Sequence, residues 1–326
     1  MAKEVLFSGI QPTGNLHIGN YLGAVKNWVK QQNSGKYDCY FCVVDYHSLT
    51  GNMKSEDRHK QIMETAAELL ALGVDPEKST FFIQSDVVEH TELAWIFNTV
   101  TPMSELHRMT QFKDKSESQD KNINAGLFTY PVLQAADILL YHGSVVPVGQ
   151  DQVQHVELTR DIGRWFNNKY GKYFPEAKAL LTEIPKVMSL LEPTKKMSKS
   201  LGQPHVIELC DEPDTIEKKL KRAVTDSGEG KSPGAENLFL LLKNFAEKDV
   251  YTQFAAAQKQ GALQYGDLKK ATSDAISMYF NEFREKRTVL LSEPEKLKEL
   301  LDMGAKKAKG AAEKTMKEVR RMVGLR

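Results

Sequence analysis

Short hydrophobic runs and longer amphipathic patterns alternate over the first two thirds of the chain. Runs rich in β-branched and aromatic residues predict strands over 5–8, 39–44 and 80–83. Apolar residues at helical spacing predict helices between them, one from His17 and one over 60–72. This βαβαβ order predicts an α/β fold with a Rossmann-like parallel sheet and helices on both faces. Because ligands of such folds bind at the carboxyl ends of the strands, we expect the functional site in the loops that follow them.

The pattern changes near residue 200, where strand-like runs fade. Amphipathic segments over 236–247, 267–291 and 295–322 predict long helices, and turn-forming residues over 200–204 mark a boundary. We therefore predict a Rossmann-like catalytic domain over 1–200, with a helical insertion near 85–145, and an all-helical domain over 201–326.

Composition and charge narrow the class of protein. The 326 residues are 41% hydrophobic and 27% charged, which excludes a disordered or collagen-like chain. Lys and Arg number 44 against 43 Asp and Glu, and the net charge of +1 argues against a protein that coats DNA. The apolar run near 132–141 is shorter than the roughly 20 residues of a membrane span. Three cysteines and a start without a secretory pattern favour a cytoplasmic location.

The loop after the first predicted strand carries the first candidate chemistry. His17 and Asn20 fall in the first turn of the next helix, where free backbone N–H groups and the helix dipole attract phosphate. Gly19 would let a nucleotide approach the backbone closely. Both polar side chains can donate to phosphate oxygens. Taken alone, the loop is equally consistent with an ordinary βα turn that has a polar cap.

A second basic element, residues 194–200, lies next to the predicted domain boundary. Lys196 and Lys199 flank Ser198 there. Lysines in such a loop can neutralise the charge that builds up on a departing pyrophosphate, and a hinge position would let the loop close. Taken alone, a run of charges is more often a solvated surface.

Together the two elements, His-Ile-Gly-Asn at 17–20 and Lys-Met-Ser-Lys-Ser at 196–200, are similar to the two signature motifs of class I aminoacyl-tRNA synthetases. The segments 7–14, 109–116, 146–152 and 222–227 extend this resemblance to the bacterial tryptophanyl-tRNA synthetases, over nearly the whole chain. The resemblance implies an ATP-dependent ligase that forms tryptophanyl-adenylate and pyrophosphate, then transfers tryptophan to tRNA(Trp) for translation. It also implies Mg²⁺ on the phosphates, a homodimer, and anticodon binding by the helical domain.

The resemblance further implies which residues form the site, and it implies no protein site for a metal ion. The residues with catalytic roles would be His17, Asn20, Lys115, Lys196 and Lys199. Those that hold ATP would be Gln11, Pro12, Thr13, Gly19, Asn20, Gly149, Gln150, Asp151, Val187, Lys196, Met197, Ser198, Lys199 and Ser200. Those that hold tryptophan would be Phe7, Gln111, Tyr130, Gln134, Asp137, Val146, Val148 and Gln152.

Tyr130, Gln134 and Asp137 lie at i, i+4 and i+7 of a predicted helix, which places them on one face. An indole has a single N–H donor and no acceptor, and the Asp137 carboxylate could accept that bond. Bacterial tryptophan enzymes tend to have Met at the position of Gln134, and the Tyr–Gln–Asp spacing also resembles the tyrosine-binding helix of tyrosyl enzymes. Two alternatives therefore remain: a tyrosyl-tRNA synthetase and a catalytically silent synthetase-like binding module.

Overall fold

The computed structural model describes residues 3–109, 124–181, 186–226 and 232–325, and this part of the chain contains one parallel sheet. Its five strands lie in the order β3-β2-β1-β4-β5, and their bounds are β1 Glu4–Ile10, β2 Tyr37–Val43, β3 Ser79–Ile83, β4 Val145–Val148 and β5 Lys178–Leu181. Every strand pair is parallel. The predicted Rossmann-like sheet is confirmed, and its strand order reverses between β1 and β4, where Rossmann folds bind their ligands.

The described helices account for most of the remaining chain. In the first 200 residues they are Ile18–Asn20, the π-helical Tyr21–Val25, Lys26–Ser34, Asp45–Ser48, Ser55–Ala71, Glu89–Asn98, Met103–His107, Ala125–Leu139 and Val153–Tyr170. Beyond residue 200 they are Pro213–Lys221, Pro233–Phe245, Lys248–Lys259, Tyr265–Tyr279, Asn281–Ser292 and Pro294–Val323. The single helix predicted over 267–291 is wrong, because the backbone leaves the helical conformation at Phe280. Within the described ranges, no helix combines the length and apolarity that a membrane span requires.

Two compact units divide the chain differently from the predicted boundary at residue 200. The sheet unit consists of 1–14, 27–183 and 293–326, and the helical unit consists of 15–26 and 184–292. The C-terminal helix Pro294–Val323 therefore belongs with the sheet, although the prediction places it in the helical domain. An amphipathic pattern shows that a helix buries one face, but it does not show which body covers that face.

Small residues explain why the C-terminal helix packs within the sheet unit. Gly304 lies directly on the backbone of Phe81 in β3, so a Cβ atom at this position would overlap the Phe81 carbonyl. One turn further on, Ala308 is fully buried in the same core. Near the end of the helix, Arg320 forms a bidentate ion pair with Glu92. A close backbone approach to β3 and an ion pair with the helix Glu89–Asn98 thus hold this helix within the sheet unit.

In the helical unit, an aromatic cluster anchors the helix that follows the first candidate loop. Tyr21 packs edge-on against Phe280, with ring centroids 5.1 Å apart, and lies 6.4 Å from the Phe245 ring. The hydroxyl groups of Tyr21 and Tyr279 are 2.6 Å apart and share a hydrogen bond. These contacts explain why residues 15–26 group with the helices and not with the sheet.

Candidate active site

The first candidate element is a capped helix start in the helical unit. His17 is the N-cap residue, and its Nδ1 accepts a hydrogen bond from the backbone N–H of Gly19 at 3.0 Å. Asn20 completes a capping box, because its Oδ1 accepts the backbone N–H of His17 at 3.1 Å. With Nδ1 acting as an acceptor, the ring proton of a neutral His17 lies on Nε2. The turn therefore presents Nε2–H of His17 as a fixed donor. The backbone N–H groups of Ile18 and Gly19, expected to be free for phosphate, are instead bonded to the Ile207 carbonyl and to His17 Nδ1.

Burial keeps the His17 imidazole neutral. The side chain is 7% exposed, and burial, followed by the positive charges of Lys199 and Lys196, lowers its pKa from 6.5 to about 4. His17 thus offers a hydrogen bond without a positive charge at neutral pH. The same electrostatic coupling shows that both lysines lie close enough to act on this turn.

The second candidate element is a bridged loop in the same unit. An isolated antiparallel bridge joins Met188 to Lys196, and the Met197 N–H donates to the Val187 carbonyl at 3.0 Å. Met197 is buried and anchors the loop, whereas Lys196 is exposed. The main chain at Val187, predicted to hold ATP, here supports the lysine loop through its carbonyl.

A short 3₁₀ turn, Lys199–Leu201, ends the lysine loop. The Ser198 hydroxyl caps this turn by accepting the Ser200 N–H, and the two serine hydroxyls lie 2.9 Å apart. The Nζ atom of Lys199 donates to the Asn15 carbonyl at 2.8 Å, two residues before His17. The structure therefore brings the two predicted phosphate-binding motifs together in the helical unit, although Asn20 and Lys199 are 179 positions apart in the sequence.

The sheet unit carries the remaining residues predicted to bind nucleotide. Gln11, Pro12 and Thr13 follow the carboxyl end of β1, where the Thr13 N–H donates to the Gln11 carbonyl at 2.9 Å. Gly149 and the 3₁₀ turn Gln150–Gln152 follow the carboxyl end of the adjacent strand β4. Both loops thus lie at the strand ends where the strand order reverses, as expected for a ligand site in this fold.

The helix predicted to bind the amino acid runs from Ala125 to Leu139, and Asn124 caps it by accepting the Leu127 N–H at 2.9 Å. Tyr130 and Asp137 are buried on this helix, and Gln134 is half-buried. The Tyr130 hydroxyl lies 2.8 Å from Nε2 of His155.

Three donors surround the Asp137 carboxylate, which is 1% exposed. Oδ1 lies 2.7 Å from both Gln84 Nε2 and His90 Nδ1, and Oδ2 lies 2.9 Å from His47 Nε2. Burial alone would raise the pKa of Asp137, but the hydrogen bonds from His47 and His90 hold it well below its usual range. A carboxylate offers about four acceptor positions, so these donors leave about one position, on Oδ2. The predicted role of Asp137 as the indole acceptor stays a prediction.

Sequence reasoning missed the partners of Asp137. Gln84 directly follows β3, and His47 lies in the short helix Asp45–Ser48 that begins soon after β2. Polar residues just beyond two buried strands were the available signal, since strand ends meet at one edge of a parallel sheet. No sequence signal marks His90, which lies in the helix Glu89–Asn98.

Apolar side chains predicted to line the amino-acid site lie in the core of the sheet unit. Phe7 on β1 and Val146 on β4 are buried, and Val148 is half-buried. The ring of Phe7 stacks on Tyr141 with centroids 5.8 Å apart. Two predicted site residues, Gln111 and Lys115, lie outside the described residues.

Known proteins match the chain along its length. The family model for tRNA synthetases class I (W and Y) matches residues 2–281. The tryptophan--tRNA ligase of Wolinella succinogenes is 46% identical to this chain over 329 residues, and the match covers 100% of both chains. That of Clostridium perfringens is 44% identical over 330 residues, covering 99% of this chain and 98% of the relative. The tryptophanyl-tRNA synthetase of Campylobacter jejuni, solved with ADP and tryptophan, matches with a TM-score of 0.88 at 37% identity, over 98% of this chain and 99% of that one.

The parallel sheet, the capped His17 turn and the lysine loop agree with the class I synthetase resemblance of the sequence. The chain belongs to the class I tRNA synthetases of the tryptophan and tyrosine family, and its full-length relatives place it in the tryptophan--tRNA ligase branch.

Proposed function

We propose that the chain activates L-tryptophan with ATP and then transfers it to tRNA(Trp). The observation that carries this proposal is the placement of the His17 turn beside Lys199, whose ammonium group reaches the Asn15 carbonyl at 2.8 Å. In the first step the tryptophan carboxylate attacks the α-phosphate of ATP and pyrophosphate leaves. The nucleophile comes from the substrate, so the protein has to align the reactants and stabilise negative charge.

The charges of the helical unit fit that task. Lys196 and Lys199 supply positive charge for the leaving pyrophosphate, and neutral His17 supplies a hydrogen bond from Nε2. Asn20 uses Oδ1 within the capping box, and its Nδ2 is the donor it can offer to phosphate. We further propose that Lys115 adds a third positive charge, by its position in the family motif.

Magnesium fits this arrangement as an ion carried by ATP. In the part of the chain that the structure describes, no group of three or more His, Cys, Asp or Glu side chains could hold a metal ion. Mg²⁺ binds phosphate oxygens and keeps several of its waters, so it needs few protein ligands. We propose that it bridges the ATP phosphates, where it would neutralise part of their charge.

The amino-acid site is proposed in the sheet unit, around Asp137. One position on its Oδ2 is left for a further donor, and a single N–H is what an indole provides. Tyr130, Gln134, Phe7 and the β4 valines are proposed to complete the site, with Gln152 and Gln111.

Partner binding extends the proposal to the protein surface. We assign the tRNA anticodon to the helices over 213–292, which differs from the 201–326 expected, because the C-terminal helix packs within the sheet unit. Trp95 is 72% exposed, and Val88, the N-cap residue of the same helix, is 60% exposed. Exposed apolar patches mark protein interfaces, so we propose a homodimer through the surface that carries Trp95 and Val88. We place the reaction in the cytoplasm, where free cysteines stay reduced.

Amino-acid-dependent ATP–pyrophosphate exchange tests the proposal. Tryptophan should stimulate the exchange, and tyrosine at the same concentration should not. Stimulation by tyrosine alone would favour the tyrosyl alternative, which shares the Tyr–Gln–Asp spacing. Exchange with neither amino acid would favour the catalytically silent binding module.

A further inference from the structure

Glu208 is a buried carboxylate that lies between the two phosphate-binding segments of the helical unit. Its side chain is 6% exposed, and each carboxylate oxygen accepts a bond from a different segment. Oε2 accepts Nδ2 of Asn15 at 2.9 Å, just before the His17 turn. Oε1 accepts Nε2 of Gln203 at 3.0 Å, just after the lysine loop.

The backbone around Glu208 reinforces this connection. Glu208 forms an antiparallel bridge with His17. On one side of the bridge the Ile18 N–H donates to the Ile207 carbonyl at 3.1 Å, and on the other the Leu209 N–H donates to the Leu16 carbonyl at 2.8 Å. The segment that carries Glu208 therefore runs directly beside the turn that presents His17.

Glu208 is connected indirectly to Lys199 by two links, one through the ammonium group of the lysine and one through its backbone. The Lys199 ammonium group donates to the carbonyl of Asn15, whose side chain Glu208 holds. The Lys199 backbone begins a 3₁₀ turn, and Gln203, the other partner of Glu208, lies two residues after that turn ends. The position of the ammonium group thus depends on two links that meet at one carboxylate.

Glu208 is itself fixed in place. Its backbone N–H donates to Oδ2 of Asp211 at 2.9 Å, and the same oxygen pairs with Nζ of Lys219 at 2.5 Å. Both side chains of that ion pair are 11% exposed. The carboxylate can therefore act as a rigid support for the two segments.

We propose that Glu208 is a positioning residue for ATP, which holds the His17 turn and Lys199 in register without touching the substrate itself. This inference rests on the proposed function, because it assigns Glu208 to the activation step. A buried acceptor shared by two amide donors suits this role, since loss of the carboxylate releases both segments at once.

The test compares Glu208→Ala with Glu208→Gln, and uses Glu212→Ala as the matched control. Glu212 is an exposed acidic residue four positions later, so its loss should leave the kinetics unchanged. In tryptophan-dependent exchange, Glu208→Ala should lower kcat/KM for ATP by about 10- to 100-fold, the cost of a small misplacement of reacting groups. The KM for tryptophan should stay within about twofold, because no contact described for Glu208 involves the sheet unit.

Glu208→Gln should keep kcat/KM for ATP within about threefold of wild type, because the amides of Asn15 and Gln203 can rotate to pair with both ends of the new side chain. A fall in kcat no larger than the loss of folded protein, with an unchanged KM for ATP and a lowered Tm, would show a purely structural role and overturn the proposal. A Gln variant as defective as the Ala variant would also overturn it.

Two further measurements keep the proposal separate from folding and from the proposed function. Gln203 is exposed, so Gln203→Ala should fold normally and still weaken ATP use by removing one of the two links; an unchanged kcat/KM for ATP would contradict the proposal. Calorimetric titration with ATP alone measures ATP binding in the absence of any amino acid, so it does not depend on the proposed activation step. If wild type shows no tryptophan-dependent exchange, the proposed function fails, whereas weaker ATP binding by Glu208→Ala would still support positioning and equal binding would refute it.

Discussion

Replacement of Asp137 separates its role in folding from its role in amino-acid recognition. Asp137→Ala leaves Gln84, His47 and His90 without their shared acceptor in a site that is 1% exposed. Each of these three buried donors left without a partner costs about 1–3 kcal/mol. We therefore expect the sheet unit to lose about 4 kcal/mol, which for a domain of its size lowers Tm by about 10 °C.

Asp137→Asn is the matched variant, because it keeps the shape of the side chain. Its amide oxygen, in the place of Oδ1, can still accept from Gln84 and His90, and the His47 ring can change tautomer so that Nε2 accepts the new N–H. The loss should therefore be about 1 kcal/mol. Calorimetric scans of both variants measure the stability. An alanine variant that melts within about 2 °C of wild type would refute the three-donor network.

Exchange kinetics on the asparagine variant then test recognition. A neutral amide is a weaker acceptor than a carboxylate, so the variant should lose at least about tenfold in kcat/KM for tryptophan, with ATP binding little changed. An unchanged KM and turnover for tryptophan would rule out Asp137 as the residue that reads the indole N–H.

Three further predictions address the helical unit and the surface. His17 has a pKa of about 4 in the folded chain, below its ordinary 6.5, so the unfolded chain binds more protons between these values and stability falls as pH falls. In urea unfolding, the free energy of unfolding should fall by about 2 kcal/mol from pH 7 to pH 5 because of His17. An equally steep fall in the His17→Asn variant would contradict this assignment. Lys199→Ala should lower the kcat of exchange by about 100- to 1,000-fold. Lys195 pairs with the surface residue Glu192, so Lys195→Ala should leave kcat unchanged. Similar losses in both variants would refute the assignment of Lys199. Trp95→Glu should shift the sedimenting species from dimer to monomer, and an unchanged species would exclude the Trp95 face as the interface.

The first three strands were predictable because a parallel strand with both faces covered contains a short, continuous apolar run. In β3 this run is Phe81–Ile83, and every residue of the strand except Ile83 is buried. The break at Phe280 left no comparable signal, because apolar spacing continues through the two helices that meet there. The sequence also did not show which part of the chain covers the C-terminal helix, because the contact of Gly304 with Phe81 depends on tertiary packing.

Parts of the site were predictable for chemical reasons. His17, Asn20 and Lys199 are of residue types that bind phosphate, and they stand in short local motifs that can be read directly. Glu208 could not be found in this way, because its partners lie 193 and 5 residues away in the chain. Its importance depends on a fold that brings Asn15 beside it, and a single glutamate between Ile207 and Leu209 does not by itself identify that partner.

Aminoacylation of tRNA is the most direct test of the account as a whole. The full chain, incubated with ATP, Mg²⁺, labelled tryptophan and total tRNA, should produce label on tRNA that mild base releases as an ester. Labelled tyrosine under the same conditions should give none. Label from tyrosine, or no label from tryptophan, would contradict the assignment of this chain to tryptophan activation and transfer.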